Sequence, residues 1–353
     1  MYLALKKIKH EKVRYSLIIA MVVLISYLVF ILTSLALGLA RENTYAIESW
    51  DFKRIALNRD ADVNLRQSLL TTDQINELKL TKNEALIGQA PIIVKEKGRQ
   101  KLSATFVGLE RSQFVYQQLK LSSGQLPQTK QEVVVDDSFK NDGYKLGDKV
   151  YFNSQTTPYT ITGFIKNAKL NVLPVVYGSL TAWAELKNIG PNFAASGVLS
   201  KDPDFKVTDP KLQVTTQKAL IDKLPGYSAQ NSTFTFMIAF LMIISLIVIA
   251  VFLYIITIQK LPNYAVLRVQ GIANKVLIQN TIGQSFILVI TGLIIGALLT
   301  LATALVIPTN VPMTFDLKFL SLVSVGLMLT SVLGSLIPVR AILRIDPAQA
   351  IGG

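Results

Sequence analysis

Four long apolar runs that contain no charged residue and no histidine constrain this 353-residue chain more than any other feature. A helix needs about 20 mostly apolar residues to cross the hydrocarbon core of a bilayer. The four runs are Ser16–Ala40, Phe234–Thr257, Val276–Ile307 and Phe319–Val339. The sequence therefore predicts an α-helical membrane protein with four transmembrane helices. For the first run the alternative is a cleaved signal peptide, but the run is longer than the apolar part of such a peptide, and we expect it to be retained.

The distribution of Lys and Arg predicts how the chain is threaded through the membrane, because short cytoplasmic segments carry an excess of these residues. With the N-terminus inside, the cytoplasmic segments contain many basic residues against only Glu11 and Asp346. The bases are Lys6, Lys7, Lys9, Lys12, Arg14, Lys260, Arg268, Lys275, Arg340 and Arg344. Both termini are therefore expected in the cytoplasm. Topology accounts for the net charge of +13, so the expected partner is the lipid bilayer of the cell membrane and not nucleic acid.

This threading divides the chain into three parts. Residues 1–40 are the cytoplasmic N-terminal segment and transmembrane helix 1. Residues 41–232 are an extracellular domain, and residues 233–353 contain transmembrane helices 2–4, a cytoplasmic coupling helix and the C-terminal tail.

The residue types that most enzyme and metal sites need are scarce. The chain has no cysteine, which excludes disulfides and thiolate metal sites. Its one histidine is His10, so His10 is the only residue that could serve as the base of a Ser-His-Asp triad. No stretch matches the G-x-x-x-x-G-K-[ST] phosphate loop. We therefore expect no catalytic residue, no metal site and no permanently bound cofactor.

The segment 41–232 is long enough to bury a core of its own, and its pattern is mixed. Runs of alternating or continuous apolar residues predict strands at Leu86–Ile87, Pro91–Val94, Leu102–Gly108, Glu132–Val135, Lys149–Phe152 and Tyr159–Phe164. Helical patterns cover Asp73–Lys79 and Leu180–Leu186. Turn residues separate these elements at Asn141–Gly143, Leu146–Asp148 and Ile189–Pro191. The prediction is an α+β domain inserted between transmembrane helices 1 and 2.

The predicted topology is unusual: one span, then a large outer domain, then three further spans. Several local motifs occur in sequence along this topology. In the outer domain these are Gly124–Pro127, Glu132–Asp137, Lys145–Val150 and Tyr159–Phe164. After span two comes Ala265–Ile272, and the chain ends with Arg344–Ile351. Together they resemble the permeases of MacB/FtsX-type ABC transporters over nearly the whole chain.

The resemblance implies that ATP is bound and hydrolysed by a dimer of separate cytoplasmic ABC ATPase subunits, and that the permease works with a second copy of itself. Closing of the ATPases moves the inner helices, and the motion is passed to the outer domain. Contact with the ATPase is implied for Ala265, Val266, Leu267, Arg268, Gly271 and Ile272. For Arg340 and Arg344 the alternative is an ordinary positive-inside flank. Gly292 and Gly296 form a GxxxG motif, which permits close approach of helices in lipid, either within the chain or at a dimer seam.

Some segments are similar to those of Gram-positive heme exporters within this family: Gly38–Asn43, Pro225–Tyr227, Thr257–Lys260 and Ala350–Gly353. If heme is the cargo, its iron must take oxygen or sulfur ligands, since the outer domain has no histidine. The implied substrate-binding residues are Arg41, as a partner for a propionate, and the donors Glu42, Tyr45, Tyr227 and Met237. The alternatives are that Arg41 and Glu42 only mark the exit from the membrane, that Tyr227 is an interfacial anchor, and that Met237 fills apolar space. Ala168–Pro174 contains neither Tyr nor His, whereas the exporters are expected to carry one there.

The leading hypothesis is therefore the permease subunit of an ATP-driven efflux system. It would export heme, as a transported substrate, or another amphipathic compound. The alternative is a transmembrane mechanical regulator that moves no substrate and activates an extracellular partner such as a cell-wall hydrolase.

Overall fold

Residues 12–308 and 311–343 are described by the structure, a computed structural model. The bases before Lys12 and the predicted C-terminal motif from Arg344 onward lie outside the described residues. The chain divides into two compact units. Leu39–Gln230 is called the inserted domain, and Met1–Gly38 together with Asn231–Gly353 is called the helical unit.

The helices among the described residues are α1 (Lys12–Ser49), α2 (Thr72–Glu77), α3 (Phe114–Gln117), α4 (Ser138–Asn141), α5 (Leu180–Lys187), α6 (Gln217–Asp222), α7 (Tyr227–Val269), α8 (Asn274–Val306) and α9 (Leu317–Leu343). The strands are β1 (Arg54–Asn58), β2 (Leu70–Thr71), β3 (Glu84–Lys95), β4 (Leu102–Leu109), β5 (Leu121–Gly124), β6 (Glu132–Asp136), β7 (Lys149–Phe152), β8 (Tyr159–Ile165), β9 (Lys169–Leu170), β10 (Leu173–Ser179), β11 (Phe193–Ala195), β12 (Gly197–Ser200) and β13 (Leu212–Thr216).

Helices α1, α7, α8 and α9 are long and apolar enough to cross a membrane, which confirms the four predicted spans. The helices reach beyond the apolar runs that predict them. The 43 residues of α7 correspond to about 65 Å of helix at 1.5 Å per residue, whereas the hydrocarbon core is about 30 Å thick. An uncharged run therefore marks the part of a helix that suits lipid and leaves its ends undetermined. The chain passes from one unit to the other within α1 and again within α7.

Glycines bring the helices of the helical unit into close contact. A Cβ atom on Gly292 would lie 2.5 Å from Cγ1 of Val22, and one on Gly296 would collide with the side chain of Ser26. The GxxxG motif of α8 thus packs against α1 of the same chain, so a dimer seam at these two glycines is not what the structure shows. Gly334 of α9 also lies close to the backbone of α7, where a Cβ atom would be 3.2 Å from the Ala250 nitrogen.

The inserted domain is built on one large mixed sheet with the strand order β13-β1-β12-β3-β4-β10-β6-β8-β5. The pairs β4–β10 and β6–β8 are parallel, and the other pairs along this path are antiparallel. Alternation along β6 sends Val134 into one apolar core and Val133 and Val135 into another. This arrangement, with short helices against the sheet, confirms the predicted α+β class.

Trp183 of α5 covers a pair of glycines on the sheet. Gly88 of β3 and Gly108 of β4 lie opposite each other in the antiparallel register, and a Cβ atom on either would overlap the Trp183 side chain. Ser179 begins the helix by accepting a hydrogen bond from the Ala182 backbone N–H at 3.1 Å. The indole is completely buried, so these glycines provide the space for the largest side chain in this core.

The predicted strands all occur, but the first two form a single strand, β3, that runs through Pro91. Pro91 is tolerated there because β12 pairs only with Glu84–Ile87 and β7 only with Val94–Lys95. Pro91 therefore lies in the gap between β12 and β7, and on the side of β3 that faces these two strands its missing N–H breaks no ladder hydrogen bond. This agrees with the usual restriction of proline in sheets. The predicted helices appear as α2 and α5, and Gly143 and Gly147 have the positive φ values of 86° and 90° that the predicted turns need.

Candidate functional sites

Within the inserted domain, the last turns of α1 bring three of the predicted substrate residues together. Arg41, Glu42 and Tyr45 lie within one helical turn, and spacings of three and four residues place side chains on adjacent positions of a helix surface. Arg41 and Tyr45 are exposed, and Glu42 is half-buried. Tyr227, at the start of α7, is half-buried in the same domain, whereas Met237 lies further along α7 in the helical unit with its side chain exposed.

Glu42 is joined to the segment between β9 and β10. Its carboxylate accepts an ion-paired hydrogen bond from Nζ of Lys169. The backbone N–H groups of Val172 and Asn171 donate to the carbonyl oxygens of Glu42 and Asn43 at 3.1 and 3.0 Å. This segment belongs to Ala168–Pro174, the stretch where the sequence analysis expects a difference from the heme exporters, and it lies against the helix that carries the predicted substrate residues.

The Glu42–Lys169 pair changes the chemistry expected at this position. About one fifth of each side chain is exposed, so the pair is partly shielded from water. A carboxylate already compensated by a lysine is a weaker ligand for a metal centre than a free one, because the ammonium group competes for the same oxygen atoms. Lys169 was not among the predicted residues, and its distance of 127 positions along the chain explains why.

Tyr45 lines a cavity of about 340 Å³ in the inserted domain, which we call the Tyr45 cavity. Its other lining residues are Glu48, Ser49, Gln118, Leu119, Lys120, Ile165, Lys166, Ala168 and Tyr177. The hydroxyl of Tyr177 accepts a hydrogen bond from Nε1 of Trp50 at 3.2 Å. Burial raises the pKa of Tyr177 to about 12, so the phenol stays protonated at neutral pH and acts as a hydrogen-bond donor or acceptor.

The predicted coupling residues do not form a separate helix. Residues 265–269 are the last residues of α7, and Gly271 with φ of 87° ends the helix. The N–H groups of Gly271 and Ile272 donate to the carbonyls of Arg268 and Leu267 at 3.0 and 3.1 Å, which satisfies carbonyl groups that a helix end leaves open. The residues predicted as a coupling helix are therefore helical up to Val269 as a continuation of α7, and α8 begins at Asn274.

Among the described residues, the surface around that turn is partly apolar and exposed. Tyr264, Leu277 and Ile342 form a small core from the ends of α7, α8 and α9, with Leu267 and Ile272 packed against it. Ala265 is buried, and Arg268 is half-buried. By contrast, Val266 and Val269 are 53% and 50% exposed, and Gly271 is exposed as well. The predicted residues thus divide into a supporting core and an apolar surface at the helix end.

Lys260 connects α7 to α1 near the same end of the helical unit. It is 6% exposed, and its Nζ donates a 2.5 Å hydrogen bond to the hydroxyl of Tyr15. The Nζ also lies 5.0 Å from the centre of the Tyr15 ring. A buried lysine needs such partners, and the contact fixes two candidate spans to each other.

The C-terminal part of the chain resembles a known family. Residues 235–347 match the family model described as FtsX-like permease, C-terminal. The chain therefore carries an FtsX-like permease domain, and the resemblance predicted from the sequence is confirmed.

The relatives extend over the whole chain. It is 25% identical over 356 aligned residues to "Putative hemin transport system permease protein HrtB" of Staphylococcus haemolyticus, which covers 100% of this chain and 99% of the relative. The protein of the same name from Staphylococcus epidermidis is 26% identical over 354 residues, with the same coverage. The periplasmic region of MacB from Actinobacillus actinomycetemcomitans is 19% identical with a TM-score of 0.36, over 49% of this chain and 94% of that one.

Proposed function

We propose that this chain is the permease subunit of an ATP-driven ABC efflux system that exports heme or another amphipathic compound from the membrane. The observation that carries the proposal is the similarity to hemin transport permeases from end to end of the chain. A match over both the apolar helices and the inserted domain indicates a shared architecture and not only a shared class of transmembrane helix.

The energy for export comes, in this proposal, from a separate ATPase. The chain contains no phosphate loop of the P-loop type, and its four apolar runs contain no Asp, Glu, Lys, Arg or His for ion coupling. The apolar surface of Val266 and Val269 at the end of α7 is where we expect the ATPase to bind. Its position beyond a span, next to a small core of helix ends, suits a contact that moves those helices.

The permease is proposed to act as a dimer, with both termini and this surface in the cytoplasm and the inserted domain outside the cell. The basic residues Lys260, Arg268, Lys275 and Arg340 flank this end of the helices, as the positive-inside rule requires. The motion then passes mechanically from the cytoplasmic ends to the inserted domain, which the chain enters and leaves in helical conformation.

The proposal is tested in a strain that lacks this chain and its ATPase. We expect this strain to be sensitive to hemin or to membrane-active peptides. Expression of the parent chain with its ATPase should restore tolerance. Val266→Asp places a charge in the expected ATPase contact and should fail to restore tolerance, although the protein reaches the membrane. Leu146→Asp changes an apolar residue of the inserted domain that is 48% exposed and should restore it. Normal tolerance in the deletion strain would refute export, and a cell-wall hydrolase captured by the full chain would favour the regulator.

A further inference from the structure

The inserted domain contains a second cavity of about 500 Å³, which we call the Arg66 cavity. Its walls come from the end of α1, from the segment before β2, from β3 and β4, from the β9–β10 region and from the residues before α7. The lining residues are Ile47, Val63, Asn64, Leu65, Arg66, Gln67, Gln89, Pro91, Thr105, Leu170, Asn171, Leu173, Leu220, Lys223, Leu224 and Pro225. It shares no lining residue with the Tyr45 cavity.

The lining combines apolar side chains with polar ones; two of the polar ones are cations, Arg66 and Lys223, and none is a carboxylate. Lys223 forms an ion pair with the exposed Asp62 at 3.0 Å. The Arg66 guanidinium makes no ion pair with a carboxylate in the part of the chain that the structure describes. A guanidinium group suits the two oxygen atoms of a carboxylate or phosphate, so Arg66 has the capacity to bind an anionic group.

A third cation adds to the positive charge beside this cavity. Nζ of Lys187 donates a 2.7 Å hydrogen bond to the backbone carbonyl of Arg66. Burial, and next the charge of Arg66, lower the pKa of Lys187 to about 8. The Lys187 ammonium group and the Arg66 guanidinium therefore repel each other, which adds positive potential beside the cavity.

The backbone is strained on two sides of the same cavity. Val63 has φ of 62° and Val172 has φ of 68°, a region that β-branched residues rarely adopt. Val63 lines the cavity, and Val172 lies between its lining residues Asn171 and Leu173. They are the two valines with positive φ in the described chain. Strain of this kind persists where the surrounding structure holds it, and it is found most often at ligand sites.

We propose that the Arg66 cavity binds an amphipathic organic anion, with its carboxylate or phosphate group on Arg66 and Lys223 and its apolar body against the leucines. The cavity volume falls within the usual size of small-molecule sites, about 300–1,000 Å³, and polar and apolar side chains share its wall. The inference deepens the proposed function by naming the cargo as an amphipathic anion, and in that respect it rests on it.

Binding is tested on the full-length chain in nanodiscs of zwitterionic lipid, with protoporphyrin IX as the anionic probe and empty nanodiscs as the control for partition into lipid. The chain's two tryptophans, Trp50 and Trp183, both lie in the inserted domain, so quenching of their fluorescence reports binding there. We expect saturable quenching, and affinity about tenfold lower in Arg66→Gln and in Lys223→Gln, the size of effect typical for a lost charged hydrogen bond.

Two controls separate a lost site from a lost fold. Lys97→Gln makes the same charge change at an exposed residue of the β3–β4 turn and should bind as the parent does. Leu173→Asp brings a negative charge to a lining residue that is 36% exposed. It should weaken binding of the anionic probe and leave the unfolding midpoint of the protein unchanged. A tetracationic porphyrin should bind more weakly than protoporphyrin IX. Equal affinity of the two porphyrins, or parent affinity in both cation variants, would overturn the inference.

The same variants in the ATPase-dependent export assay distinguish this inference from the proposed function. A parent chain that binds the probe and exports nothing would refute the export proposal and leave the binding site standing. A parent that exports while Arg66→Gln binds and exports normally would refute the cavity alone. Lost binding with undiminished export would refute its role in selecting cargo.

Discussion

Glycine makes room for close packing in both units of this chain, but what it makes room for differs. In the helical unit, Gly292 and Gly296 admit the side of a neighbouring helix, at Val22 and Ser26. In the inserted domain, Gly88 and Gly108 admit a single indole ring, Trp183. Two helices in lipid gain little from the hydrophobic effect and depend on close contact, whereas a domain in water gains most from burying a large apolar side chain.

The largest effect is expected where the inserted domain loses its buried ring. Trp183→Ala should destabilise the domain by about 3–5 kcal/mol, the cost of removing a large aromatic from a packed core. Urea unfolding followed by circular dichroism measures it. Trp183→Phe should cost clearly less, because Nε1 has no hydrogen-bond partner among the described residues and a ring still covers the glycines. Equal losses in the two variants would show that the ring's burial is not what stabilises this core.

A smaller effect is expected where the helical unit loses close contact. Gly296→Leu should force α1 and α8 apart and cost about 1–3 kcal/mol, as overpacked cores do. Gly283→Leu on the same helix is the matched control, since a Cβ atom there would meet nothing within 4 Å. Thermal unfolding in detergent compares the two. If both variants unfold at the same temperature as the parent chain, helix contact at the GxxxG motif does not stabilise the unit.

The smallest effect concerns charge in the inserted domain. The pKa of Lys187 lies at about 8 in the fold and at 10.5 in a free lysine, so between these values the unfolded chain holds more protons. The free energy of unfolding should therefore rise with pH from about 8 to 10.5. Below pH 8 the fold bears the full cost of burying the charged Lys187 side chain. The expected rise is about 1 kcal/mol, reduced because the side chain is partly exposed and screened.

Urea unfolding between pH 7 and 10.5 checks this dependence. Lys187→Met should remove the rise, and Lys97→Met, at an exposed position, should leave it in place. A rise of the same size in Lys187→Met would assign the dependence to other groups.

Local patterns predicted a large part of both units. The strands β6 and β8 follow from their apolar residues, and Gly143 and Gly147 occupy turns that the sequence predicts. Other strands carry weaker signals. β10 contains Pro174 and Gly178, and β12 has only four residues, so neither stands out from loop sequence until its neighbours in the sheet are known.

The candidate sites were predicted to the extent that they lie on one helix. Arg41, Glu42 and Tyr45 are close to one another because of their spacing, and the structure places them together on α1. The partner of Glu42 is Lys169, which no local pattern associates with it. The roles assigned to these residues and to Tyr227 and Met237 remain predictions.

The sequence by itself determined that this chain has four helices suited to lipid and an α+β domain between the first and second of them, because apolar run length and strand alternation are local properties. Only the tertiary structure decided where those helices end, which partner the glycines of α8 meet, and which residues enclose the two cavities. Such contacts join residues far apart in the chain, and their free energy depends on shape complementarity that no local stretch contains.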